Sequence, residues 1–416
     1  MNAHAGVPGH PKRWWIPGGI TEPHPAPRPV GGPYFTGPVL ALLALAAVAG
    51  ALIVWRFAVG LGASTALNDG YPWGLWIAFD VVTGTALACG GYAVALLTYT
   101  LNRGQYHPLV RPAMVTSAFG YTIAGLSVVL DVGRPWLIWK VPLFVGHWNE
   151  NSVLLEVALC IMGYVFVVWL ELAPAFLERA RDSAVPAMRA IGRFGLPVIQ
   201  KALLYIVALG VLLPTMHQSS LGALLLISGP RLHALWNTPM LPLLFLISCI
   251  AMGFGAVVLE SGLSSWLLGR KPEREMLAGL GLAMVPIVGV YLAIRLVDLA
   301  VRGQLAALVA FDTASVLSLV EMALFALGIA LLATRRRRED LGNLIRAAMV
   351  LIFAGALYRF DVFLVAFNPG AQWHYFPNVA EILITAGLVA GEIAGYLLLI
   401  RFFPILSGRR NPVPAS

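Results

Sequence analysis

The stretch "LPTMHQSSLG", Leu213 to Gly222, places a proline, a histidine, a glutamine and two serines between apolar flanks. His217 and Gln218 can donate hydrogen bonds to carbonyl oxygens, and His217 can also carry a proton. Pro214 removes one backbone donor and frees the carbonyl near Gly210. Such breaks are tolerated in a membrane helix where the freed groups line a cavity or are satisfied by a neighbour. A donor set behind a kink therefore reads as the wall of an interior pocket. The plainer reading is a polar packing seam between helices.

Other ionisable groups sit in apolar surroundings. Asp80 lies seven residues beyond Trp73, so roughly 10 Å into its run at 1.5 Å per residue. Trp76 and Thr83 share its helical face. Glu156 lies about one and a half turns into another run, with no basic residue within a turn of it. An unpaired carboxyl at such a depth is costly and usually kept for function. Asp80 and Glu156 are expected to bind a ligand or carry protons. Tyr121 sits near the middle of a third run, and Glu260 toward the far end of a fourth. If their helices are neighbours, Tyr121, Glu156 and Glu260 form a proton relay. Arg134, Arg295, Asp298, Arg359 and Asp361 gather at run ends, where mutual pairing in a structural role is expected.

Of eight histidines, His217 alone falls inside an apolar run. A b-type haem in a helical bundle takes two axial histidines, or a histidine and a methionine. The expectation is no haem. Cys89, Cys160 and Cys249 are far apart, each inside an apolar run. They supply no iron–sulfur or other metal-ligand spacing, and no disulfide framework.

The elements that position these groups follow from composition. The 416 residues are 59% hydrophobic and 12% charged, with mean hydropathy +0.80. Soluble domains carry about 25% charged residues. The chain is a polytopic membrane protein, and runs of about 20 apolar residues without alternation are helices. Ten spans fall near residues 37–59, 74–99, 112–131, 151–172, 200–228, 239–268, 277–301, 312–333, 343–367 and 379–403. Residues 1–36, rich in Pro, Gly and His, read as an irregular tail without a signal-peptide core, 37–405 as the membrane domain, and 406–416 as a second tail. Even parity puts both termini on one side. That side collects 21 of the 28 Lys and Arg residues and the other side 7, so the termini are expected to be cytoplasmic. The +8 net charge is thus a matter of topology, and no nucleic-acid partner is implied.

The segments "GQYHPLVRPA", "PWGLWIAFD", "NSVLLE", "LPTMHQSSLG" and "VAFNPG…YFP…EI" together resemble the membrane subunits of nickel–iron hydrogenases of the hydrogenase-2 type. Those belong to a wider group of quinone-reactive subunits found in polysulfide reductase, formate-linked nitrite reductase and alternative complex III. The resemblance runs from about residue 34 to residue 405. It implies two four-helix bundles, spans 2–5 and 6–9, flanked by spans 1 and 10, and no haem. It also implies a quinone, menaquinone by preference, bound near the outer face of the first bundle. The partners it implies are a periplasmic ferredoxin-like iron–sulfur subunit and the hydrogenase small and large subunits. Carried onto this chain, the quinone or proton positions are Asp80, Tyr121, Glu156, His217 and Gln218, with Glu260 as the carboxylate of the second bundle. A molybdenum or multihaem enzyme as partner is the alternative within the group. A secondary transporter is the alternative outside it, disfavoured because Pro214 and Pro286 do not correspond between halves.

Overall fold

The computed structural model describes residues 26–407; most of the proposed N-terminal tail, and the residues after 407, lie outside that range. Among the described residues, ten helices are long and apolar enough to cross a membrane: α1 Gly37–Val59, α2 Trp76–Thr100, α3 Gly104–Asp131, α4 Val153–Arg181, α5 Pro186–Leu226, α6 Leu241–Leu267, α7 Arg274–Val301, α8 Thr313–Leu332, α9 Leu341–Val365 and α10 Val379–Phe402. Most Lys and Arg of the loops fall at one end of the helices, here termed the basic face. The opposite end holds the Trp- and Tyr-rich loops and is termed the aromatic face.

Helices α2–α5 pack in sequence and close as one bundle, and α6–α9 close as a second. The bundles meet where α5 and α2 lie on α6 and where α9 reaches the start of α2. Helices α1 and α10 pair with each other, and α10 rests on α3. Their close approach depends on Gly387: a Cβ there would collide with the Ala49 side chain and the Leu45 carbonyl. Small residues let helix backbones approach closely in lipid, where no hydrophobic effect drives association. Residues 26–36 run beside the end of α10, with the Val30 amide on the Ile400 carbonyl at 2.9 Å and the Tyr34 hydroxyl on the Ala394 carbonyl at 3.0 Å.

Two helices differ in extent from the apolar runs. α3 begins eight residues before the expected 112, with Pro108 and Pro112 near its start. Pro108 stands in the first turn, where the amide has no helical partner, and Pro112 lies inside the helix. α5 has 41 residues, roughly 61 Å, so it projects well beyond a hydrocarbon core of about 30 Å. Its extension lies against the end of α4, where Gly192 meets the Arg181 backbone.

α2 is irregular. Trp76–Thr83 and Leu96–Thr100 are wound with wide π turns, and the helix shifts register at Cys89. Ser117 of α3 bridges the shift: its hydroxyl donates to the Ala88 carbonyl and accepts from the Gly91 amide. A break at membrane depth is thus satisfied by a neighbour. π turns are frequent at functional sites, and this one carries Asp80.

Candidate functional site

The interior of the first bundle holds a polar layer. His217 and Gln218 of α5 are fully buried and converge on Thr85 of α2. His217 Nε2 lies 3.3 Å from Thr85 Oγ1, and Gln218 Nε2 donates to it at 2.9 Å. The Thr85 hydroxyl itself donates to the Val81 carbonyl at 2.5 Å. Its oxygen is therefore the acceptor for both side chains, which assigns the proton of His217 to Nε2. Nδ1 is left as a buried acceptor with no hydrogen-bond partner. Tyr121 of α3 stands edge-on to the imidazole, ring centroids 5.6 Å apart, and to Tyr164 of α4 at 4.4 Å. The Tyr164 hydroxyl is buried, near Ser117, and has no hydrogen-bond partner within 3.5 Å among the described residues. Tyr92 of α2 bonds Thr215 of α5 at 2.8 Å.

These groups share a level. Thr85, Tyr121, Tyr164 and His217 lie nine to eleven residues from the aromatic-face ends of their helices, so roughly 14–16 Å deep. That is about half of a hydrocarbon core of about 30 Å, deeper along the helices than the outer-face position expected from the sequence.

The other expected positions lie elsewhere. Asp80 is buried, but Thr385 of α10 bonds its Oδ2 at 3.0 Å, so it faces the α10 seam and not His217. Glu156 is half-buried in the first turn of α4. Glu260 of α6 accepts from Tyr396 of α10 at 2.6 Å and Thr116 of α3 at 3.0 Å. α3 thus lies against both α4 and α6, yet the hydrogen bonds of Glu260 lead to α10. Helical residues also begin early enough to place His107 in the first turns of α3, beside the ring of Tyr99.

The outer charges pair differently from expectation. Asp298 pairs with Arg302 at 2.6 Å. Arg295 faces Glu321 at 3.8 Å, and Tyr291 and Trp236 donate to the same carboxylate at 2.8 and 3.2 Å. Arg134 is exposed in the loop after α3. Arg359 does not pair with Asp361. It crosses the bundle interface, donating to the carbonyls of Val82 and Phe245 at 3.1 and 3.0 Å, to Ser248 at 3.1 Å and to Gln218 Oε1 at 3.3 Å. It thereby clamps one of the two central donors.

Sequence reasoning missed Thr85, Tyr164, Glu171, Glu321 and Glu392. The last three are carboxyls inside apolar runs ("VWLELAP", "LVEMAL", "VAGEIAG"), a signal as strong as that of Glu156. Glu171 lies against Gly210, four residues before Pro214, beside the carbonyl that the proline frees. At the aromatic face Glu381 accepts from Tyr375 at 2.7 Å and from the Ala66 amide at 2.8 Å. Burial, then the bonded carboxylate, pushes the Tyr375 phenol well up, so it stays a donor.

Residues 63–368 match the polysulphide reductase family NrfD. The chain is 41% identical over 386 residues to the probable Ni/Fe-hydrogenase 2 b-type cytochrome subunit of Escherichia coli K12, covering 91% of this chain and 95% of that one. It is 30% identical over 250 residues to the integral membrane subunit of menaquinone reductase of Nitratidesulfovibrio vulgaris Hildenborough, 58% of this chain and 57% of that one. A 155-residue match at 27% identity, 36% of this chain and 34% of the relative, joins it to a selenate reductase subunit from Mesobacillus selenatarsenatis. The Escherichia coli name points to haem and overturns the expectation of a haem-free chain. Against the residues present, a pair of facing histidines does not fit: His217 is the one histidine in the interior of the described spans. The expectation discounted the other ligand set too quickly, since Met114, Met252 and Met284 are all buried in spans.

Proposed function

This chain belongs to the polysulphide reductase NrfD family, and on that premise we propose that it is the quinone-reactive anchor of a hydrogenase complex. Electrons arrive from an iron–sulfur partner subunit docked on the aromatic face, and quinone is reduced within the chain. The names of two relatives, a hydrogenase 2 subunit and a menaquinone reductase subunit, support this reading and favour menaquinone. Hydrogen cleavage belongs to the hydrogenase small and large subunits. The 21:7 distribution of Lys and Arg supports a bacterial inner-membrane orientation with the basic face cytoplasmic and the aromatic face periplasmic.

The carrying observation is a pair of buried polar atoms at one depth, the acceptor His217 Nδ1 and the hydroxyl of Tyr164, neither with a hydrogen-bond partner within 3.5 Å among the described residues. Buried polar atoms are paired in the great majority of cases, and an exception marks an absent partner or a functional group. A quinone takes up two electrons and two protons. Its carbonyl accepts a hydrogen bond from Tyr164, and its quinol hydroxyl donates one to Nδ1. Tyr121 and Gln218 complete the donor set, with Thr85 and Arg359 holding His217 and Gln218 in place. Glu156 stands near the periplasmic entrance of the same bundle as a proton carrier.

The test is the purified complex assayed with hydrogen as donor, menaquinone analogue and artificial dye in parallel. His217→Ala and Glu156→Gln should each remove quinone reduction and leave dye reduction intact. Full quinone activity in both variants would refute the assignment.

The selenate reductase match carries a second reading, the same role beside a different respiratory enzyme. Co-purification of the chain with its native partners separates the two.

A further inference from the structure

Helix α10 lies outside both bundles, yet one stripe of it is polar. Glu381, Thr385, Glu392 and Tyr396 fall at offsets that keep all four within about 60° of the helix circumference. The stripe faces inward. At its basic end, Tyr396 and Thr116 bond the two oxygens of Glu260. Glu260 lines a small cleft at that end together with Pro108, Ser264, Arg270 and Glu273. Glu392 sits beside Gly120 of α3, where a Cβ would stand 3.7 Å from its Oε1. It lies within electrostatic reach of both Glu260 and Asp80. At the aromatic end, Thr385 bonds Asp80 Oδ2, while the buried Asp80 Oδ1 has no partner. None of Glu260, Glu392 and Asp80 belongs to an ion pair among the described residues.

Glu260 and Asp80 each take a hydroxyl of α10, and Glu392 stands on the same stripe between those hydroxyls; three such carboxyls outside any ion pair among the described residues have a poor structural rationale. Ionisable residues within membrane spans are costly and are usually kept for function. Intramembrane carboxyls in series are the material of proton relays. From Tyr396 to Thr385 the stripe climbs eleven residues, roughly 16 Å, more than half of a hydrocarbon core of about 30 Å. α2 then carries Asp80 and Thr85 on successive turns, and Thr85 is where His217 and Gln218 converge.

We propose that the α10 seam conducts protons from the basic face to Asp80, with Glu392 as the relay carboxyl between Glu260 and Asp80. The proposal rests on quinone reduction in this chain, which consumes the protons delivered. In each step a carboxyl takes a proton on one oxygen and releases one from the other, so one proton advances and only O–H bonds change. The path runs between α10, α3, α2 and α6, beside the first bundle and not through its interior.

The experiment uses the whole complex in liposomes, with hydrogen and a menaquinone analogue, and infrared difference spectroscopy of the same samples. Glu392→Gln should slow quinol formation by about 10²-fold, leave dye reduction unchanged and remove one protonated-carboxyl band. Glu392→Asp should restore both the rate and the band in shifted form, which a purely structural role would not do. Should Glu392→Gln fail to assemble, Tyr396→Phe and Thr385→Val carry the test, each expected to slow quinol formation with the carboxyl band of Glu392 shifted. Wild-type quinol formation in Glu392→Gln, or in both hydroxyl variants, would overturn the proposal. Absence of quinol formation in the wild-type complex would instead overturn the proposed function. The carboxyl band of Glu392 would then still report whether that residue takes up protons, and its absence from the wild type would overturn the relay.

Discussion

Thr85→Val is the sharpest perturbation of the central layer. Valine has nearly the shape of threonine, so the change removes one hydroxyl and little volume. That hydroxyl accepts from both His217 Nε2 and Gln218 Nε2, and all three residues are fully buried. Leaving a buried donor unpaired costs about 1–3 kcal/mol. Two donors give about 2–6 kcal/mol before relaxation. Gln218 keeps its bond from Arg359, so its amide has an anchor and its cost falls at the lower end. His217 has only ring contact with Tyr121 as a second restraint, and its imidazole will rotate. Each 1.4 kcal/mol of lost positioning is tenfold in rate. The expected result is a loss of quinone kcat/KM of about tenfold to a hundredfold, with dye reduction unchanged and a lowered thermal midpoint of the complex. Thr85→Ser, which keeps the oxygen, should retain most of both. Equal quinone kinetics in the Val and Ser variants would refute the claim that Thr85 orients the histidine.

Three further outcomes are expected. Glu321→Leu should destabilise the second bundle by about 3–5 kcal/mol, because it leaves Arg295 buried without its carboxylate; Glu321→Leu with Arg295→Leu should recover much of that in thermal unfolding. Asp312 caps α8 through the Ser315 amide at 2.8 Å, and that bond holds its carboxyl below the usual range. A depressed folded-state value means the stabilisation is present above the unfolded value of about 3.9 and lost as pH falls through the folded value. Asp312→Ala should therefore lower the thermal midpoint at neutral pH, and the gap to wild type should close only in strong acid; an unchanged gap there would refute the capping argument. A reporter fused after Ser407 should signal a cytoplasmic location, and a periplasmic signal would break the proposed orientation.

The spans were legible because lipid demands long apolar runs, and all ten fall within a few residues of expectation except where helices continue into water. The extension of α5 through Pro197 carries Arg189 and Arg193 among its apolar residues, and those charges with the prolines kept it out of the apolar run. His217 and Gln218 were legible as donors because polar side chains in an apolar run have few uses. Their partner Thr85 was not, since a threonine in a helix is commonly self-satisfied and its role depends on which helix it faces. Helix pairing is non-local: nothing in "GLVAGEIAGY" indicates that Glu392 looks toward α3, and nothing in "LYRFD" that Arg359 points across the bundles. The expected pairing of Arg359 with Asp361 rested on nearness in sequence, whereas the bundle interface offered the guanidinium a ring of carbonyl, hydroxyl and amide acceptors. The haem expectation rested on the lack of a second histidine inside a span and gave too little weight to the buried methionines.

The clamp made by Arg359 also bears on how the protein is built. Arg359 lies six residues from the end of α9, and a charge within an apolar span carries an insertion cost that reaches about 2.5–3.5 kcal/mol only at the helix centre. The acceptors that offset this belong to α2, α5 and α6, all made earlier. The partners that make the ninth span's arginine tolerable thus come from helices that precede it in the chain. Loss of the Val82, Gln218 and Phe245 acceptors together would leave that guanidinium short of partners however apolar the rest of α9 is.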